Sequence, residues 1–126
     1  MIICNPNVRI SMPKNKIIVD REVFYMAIAY IIGITLTFSL WQNNLLVASM
    51  LALLWAISIK YWHTKTDNIL FVLGFFGGML GEINAVQLGI WSYANPTFLW
   101  IPLWLPLVWG ETVVIAKRIA DILSQL

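Results

Sequence analysis

Long stretches of this chain carry almost no charge, and that limits what it can fold into more than any other feature. Between Asn68 and Lys117 the only charged side chains are Glu82 and Glu111. A helix rises about 1.5 Å per residue, so about 30 Å of hydrocarbon is crossed by roughly 20 mostly apolar residues. Four segments meet that condition: residues 23–40, 45–62, 69–91 and 97–116. The sequence therefore predicts an all-α, polytopic membrane protein, a single transmembrane domain over 1–126 with four helices in one bundle. Residues 1–22 and 117–126 are expected as tails. The first segment ends in Ser39-Leu40-Trp41 without a small-x-small pattern, so it reads as an anchor and not as a cleaved leader.

Orientation follows from the basic residues, which are retained on the cytoplasmic side of short loops. All eight lie in three regions: Arg9, Lys14, Lys16 and Arg21; then Lys60 and Lys65; then Lys117 and Arg118. With four crossings these regions share one side, while residues 41–44 and 92–96 carry no charge. Both termini are thus expected inside, in a multi-pass protein of the membrane, with a prokaryotic cytoplasmic membrane as the expected setting.

The rest of the composition excludes several classes. Hydrophobic residues make up 60% of the chain and charged residues 11%, roughly half the usual charged fraction. The net charge of +2 comes from scattered residues that form no basic patch interleaved with aromatics, so no nucleic acid is expected as a partner. Cys4 and His63 are the only cysteine and histidine. One copy can therefore build no disulfide, two-histidine haem site or four-ligand zinc site, and neither a metal nor a cofactor is expected. Phosphate loops and nucleophile elbows are missing from the sequence.

Within the fourth segment, Asn95-Pro96 has the chemistry of a helix start. Pro102 and Pro106 then fall inside the span, where each removes a donor and clashes with the carbonyl four residues back, so a kinked outer half is expected. A helix beginning only at Pro102 is the other reading.

The third segment holds the candidate site. At about 100° per residue, Gly74, Gly78, Gly81, Ala85 and Gly89 fall within about 80° of one another, a smooth stripe suited to close helix packing in lipid. Glu82 and Asn84 border it on opposite sides and are both expected to face a helix partner. Glu82 is placed roughly 20 Å from the inner end of its span. An acid near a helix centre costs about 2.5–3.5 kcal/mol on insertion scales. No lysine, arginine or histidine lies within any span to pair with it, so a neutral carboxyl or a proton-exchanging one is expected. Glu82 is accordingly the candidate acid or base. As a structural alternative it bonds across the interface to Asn84, Tyr30 or a tryptophan N–H. Glu111, nearer the inner end of the fourth segment, is expected to pair with Lys60 or to meet the cytosol. Trp104 and Trp109 lie deeper than the interfacial tryptophans, and with Asn84 and Glu111 they complete the candidate binding set.

The run Gly81-Glu82, Gly89-Ile90-Trp91-Ser92-Tyr93 and Ile101-Pro102-Leu103-Trp104-Leu105-Pro106-Leu107-Val108-Trp109 resembles integral-membrane carotenoid biosynthesis proteins of the hydratase type. The resemblance covers about residues 81–109. It implies that Glu82 protonates an isoprenoid double bond while tryptophan faces stabilise the carbocation. The expected function is an intramembrane enzyme or binder for an isoprenoid or other lipid. A small proton-coupled transporter and a non-catalytic subunit of a membrane complex are the alternatives. Besides the bilayer, a second copy or a larger membrane protein is the expected partner for the glycine stripe.

Overall fold

The computed structural model describes residues 14–125, with side chains described from Arg21 onward. Four α-helices follow in order: α1 Lys14–Leu40, α2 Asn44–Tyr61, α3 Lys65–Gln87 and α4 Leu105–Leu123. The expected N-terminal tail is already helix from Lys14, and its residues 1–13 lie outside the described residues. Three helices are long and apolar enough to cross a membrane: Arg21–Leu40 within α1, then α2 and α3.

Burial runs opposite to the pattern of a soluble domain. Asn44, Ser58, Asp67 and Glu82 are buried, whereas Phe24, Ile31, Phe38, Leu53 and Leu73 point outward. Large apolar side chains on the outside and polar ones within suit a lipid surround, where outward polar groups find no solvent. Membrane localisation follows from these surfaces together with the three long apolar helices.

Each helix end has a local cause. Asn43 caps α2, its side chain accepting from the Leu46 amide at 3.1 Å. Thr64 and Asp67 form a capping box at the start of α3. At the other end of α3, Gly89 adopts φ +71°, its amide donates to Val86 and that of Ile90 donates to Ala85. That is a Schellman stop, for which glycine is suited because it has no Cβ to clash in the left-handed region. The third segment therefore ends as helix at Gln87 and not at Trp91, and Gly89 leaves the packing stripe to become a turn residue.

The fourth segment also differs from expectation. No kinked helix runs from Thr97 to Ala116; α4 starts at Leu105 with Pro106 in its first turn, where a missing amide costs nothing. A helix through both prolines would set the Pro106 ring against the carbonyl of Pro102, and Pro102 itself forces Ile101 into extended backbone. The chain instead makes a tight turn at Phe98–Ile101, each donating its amide to the other's carbonyl at 3.0 Å. Leu99 and Trp100 sit at φ 46° and 67°, a left-handed pair that costs about 1–2 kcal/mol per residue without glycine. Asn95 does not cap α4. Its amide group donates to the Trp41 and Gln42 carbonyls, while the Asn44 amide group donates to the Asn95 carbonyl and the Thr97 hydroxyl. This reciprocal clamp fixes residues 94–97 on the α1–α2 turn, and Ile101 is fully buried below it.

The pairing of α3 with α4 is the most extensive, and α4 also touches α1 and α2. A Cβ on Gly74 would stand 2.7 Å from Val113 and 2.8 Å from the Trp109 carbonyl, one on Gly78 would overlap the Trp109 side chain, and one on Gly110 would stand 2.7 Å from the Phe71 ring. A Cβ on Gly77 or Gly81 would meet nothing within 4 Å among the described residues. At the far end Arg118 grips Asp67 with two bonds, 2.5 and 3.2 Å, and reaches Glu22 of α1 at 3.3 Å. The two glycine pairs should therefore respond oppositely. Gly78→Ala is expected to lower stability in detergent by about 1–3 kcal/mol through overpacking. Gly77→Ala should leave it unchanged or raise it by up to about 1 kcal/mol. Denaturant titrations of the two variants check this.

Candidate functional site

Glu82 lies in the last turns of α3, five residues before Gln87 and about 8 Å along the axis from that end. It is therefore closer to the α3–α4 loop than a span reaching Trp91 implies. The Schellman turn then folds the chain back so that Trp91 and Tyr93 reach its carboxyl. Trp91 Nε1 donates to Oε2 at 3.1 Å, Tyr93 Oη to the same oxygen at 2.5 Å, and Trp109 Nε1 from α4 to Oε1 at 3.0 Å. Trp109 is held there because its side chain lies on Gly78, where no Cβ intervenes. Glu82 itself is 8% exposed.

Three donors on two oxygens give a carboxyl group the solvation that lipid cannot provide. The indoles can only donate, whereas the phenol can donate or accept. Tyr93 is thus the one of these three donors whose side chain has lone pairs that can also accept. Burial, then the hydrogen bond and charge of Glu82, push the Tyr93 phenol above its ordinary value.

Beside this carboxyl, α3 and α4 leave a groove of about 620 Å³. Gly74, Gly77, Gly78 and Gly81 form its floor, Trp91 and Trp109 flank the Glu82 end, and Leu70, Leu73 and Val113 continue it toward the α2–α3 turn. The groove is apolar along its length and polar only at Glu82.

The other candidates separate. Trp109 joins Glu82. Asn84 is exposed and makes no side-chain hydrogen bond among the described residues, so it does not face a helix partner there. At 100° per residue it lies with Gly77 and Gly81, on the face that α4 leaves open. Trp104 is half-buried at the N-cap of α4, and among the described residues its indole N–H has no partner. Glu111 belongs to a different cavity, lined by Tyr30, Ser58 and Leu107. Its neighbour is His63 at 4.0 Å and not Lys60, whose ammonium lies over the Tyr61 ring. Of the expected stripe, Gly74 and Gly78 pack on α4, Ala85 is buried and Gly81 stays open. Trp91 and Tyr93 are the site residues that helical periodicity misses. The signal for them is Gly89, a helix-stopping glycine with aromatic donors two and four residues beyond it.

A raised phenol has a definite pH consequence. The unfolded chain loses the Tyr93 proton first, so this contribution to stability is complete below pH about 10 and is lost as pH rises beyond it. Ultraviolet titration should show a tyrosine that ionises later than a free phenol. Glu82→Gln should move that ionisation to lower pH, and Tyr93→Phe should remove it.

Comparison with protein-family models, curated proteins and solved structures returns no match to this chain.

Proposed function

We propose that this chain crosses the membrane four times with both termini in the cytoplasm, and that it is an intramembrane binder or enzyme for an isoprenoid or other lipid. The observation that carries the lipid reading is the Glu82 carboxyl, held by Trp91, Tyr93 and Trp109 at one end of an apolar, glycine-floored groove. A long apolar chain matches the groove, and a hydroxyl, carbonyl or double bond matches its polar end. Glu82 exchanges a proton with the bound molecule, and Tyr93 steadies the acid and can share that proton.

The resemblance to hydratase-type carotenoid proteins fits this chemistry. The rings of Trp91 and Trp109 flank the acid, where an indole face attracts a developing carbocation. They are better placed for that than Trp104, whose indole N–H is engaged with none of these groups.

Four crossings put Arg21, Lys60, Lys65, Lys117 and Arg118 on one side, with the α2–α3 turn inside and the α3–α4 loop outside. In a cysteine scan, Ser92→Cys should react with a membrane-impermeant maleimide added from outside, and Lys65→Cys should react only after the membrane is opened. The reverse pattern refutes the orientation.

The lipid reading is tested in nanodiscs with a photoactivatable isoprenoid alcohol. Crosslinks should concentrate on peptides containing Leu73 and Trp109 and fall at least fivefold in Gly77→Leu, which puts a side chain into the groove from a position whose Cβ meets nothing within 4 Å among the described residues. Equal labelling of the outer faces of α1 and α2 would sink the idea. With an unmodified isoprenoid in deuterated buffer, wild type should incorporate deuterium and Glu82→Gln should not. Equal incorporation, or none in either, leaves Glu82 as a tie that only holds the α3–α4 loop.

A further inference from the structure

The α2–α3 turn buries a second set of polar groups that the groove does not use. His63 has a side chain with 0% exposure, and among the described residues neither of its ring nitrogens has a hydrogen-bond partner. Asn68, whose side chain lies beside the imidazole, has its Oδ1 buried and, among the described residues, unpartnered as well. From α4, Glu111 brings Oε2 to 4.0 Å from His63 Nε2. Glu111 also lines a cavity of about 30 Å³ between α1, α2 and α4, together with Tyr30, Ser58 and Val108, a space large enough for a water.

Among the described residues, the charged groups around His63 are paired with one another or turned away. On α3, Asp67 is paired with Arg118 of α4, which also holds Glu22 of α1. On α2, Lys60 is turned onto Tyr61, and Tyr25 of α1 packs on Trp62. Burial holds the His63 imidazole below its ordinary value, outweighing the opposite pull of Asp67.

A neutral imidazole offers one donor and one acceptor. Across from it stand an orphaned amide oxygen and a carboxyl group, which can donate only when protonated. We propose that His63, Glu111 and Asn68 form a proton-binding site at the α2–α3 turn, in which the half-buried Glu111 carboxyl and the buried His63 Nε2 share one proton and Nδ1–H is donated to Asn68 Oδ1. Shortening the 4.0 Å separation by about 1 Å completes the bond.

Uptake forms the O–H bond on Glu111 Oε2, with the proton arriving from water through the adjoining cavity. Release breaks that bond, returns the proton to water and leaves a carboxylate facing an imidazole lone pair. The occupied site adds a tie between the α2–α3 turn and α4 beside the Arg118–Asp67 pair, and the emptied site lacks that added tie. This acid stands apart from Glu82, in a cavity on the opposite face of α4, and does not depend on the lipid reading.

His63 is the sole histidine, so ¹⁵N-histidine labelling reports on it alone. In nanodiscs at pH 6 the ring should be neutral, protonated at Nδ1 and bare at Nε2. A free imidazole, with a pKa of about 6.5, is mostly charged at that pH. A charged ring or an Nε2–H tautomer overturns the proposal, and this reading needs no variant. Infrared difference spectra at pH 6 should also show a protonated-carboxyl band that Glu111→Gln removes and whose titration midpoint His63→Gln moves by at least one pH unit. A missing band, or an unmoved midpoint, overturns it.

Discussion

The close approach of α3 to α4 is the contact on which the other features depend. Gly74, Gly78 and Gly110 let two helices meet where any larger residue would hold them apart. In lipid this contact has to come from packing, because the surrounding tails are as apolar as the helix faces. Its register is fixed at both ends. At one end Trp109 rests on Gly78 and donates to Glu82; at the other, Arg118 holds Asp67, the capping residue of α3. A shift of α4 by one residue would break both ends together, so the acid and the ion pair are set by a single packing decision.

Around the α3–α4 loop, polar groups are answered by other parts of the chain. The Asn44–Asn95 exchange fastens the α3–α4 loop to the α1–α2 turn. The Phe98–Ile101 turn bonds its own amides, and Thr97 accepts from the Leu103 amide. Within the hydrocarbon, backbone that is not helical is tolerated only when the protein or enclosed water satisfies its donors and acceptors, and bonds of this kind meet that need. The strain at Leu99 and Trp100 is tolerated because the turn lets Ile101 plug the bundle.

How much of this could be read in the sequence depended on the range of the cause. The apolar segments of α1, α2 and α3 were legible because hydrophobicity and length act locally, and Glu82 stood out because acids in such segments are rare. The start of α4 was misplaced because hydropathy sees Thr97 to Ala116 as one run. The steric conflict between Pro102 and Pro106 divides that run, and the shorter helix is the outcome. Gly89 fitted the periodicity of the stripe, yet a left-handed stop and a packing glycine look the same as letters. Trp91 read as the end of the third segment and Tyr93 as a residue of the uncharged loop, since their approach to Glu82 exists only after the chain reverses. His63 and Glu111 are 48 positions apart, and only the placement of α4 against the α2–α3 turn makes them neighbours.

Gly77 and Gly81 are different in kind from the glycines that face α4. They relieve no clash, and in a helix they are a liability that alanine would remove. Stability within one copy gives no reason to keep them. If any selective pressure retains them, it acts through whatever lies against that face of α3. An inventory of natural variation at positions 77 and 81, set beside that at 74 and 78, would therefore separate the demands of the fold from those of an occupant without any assay of activity.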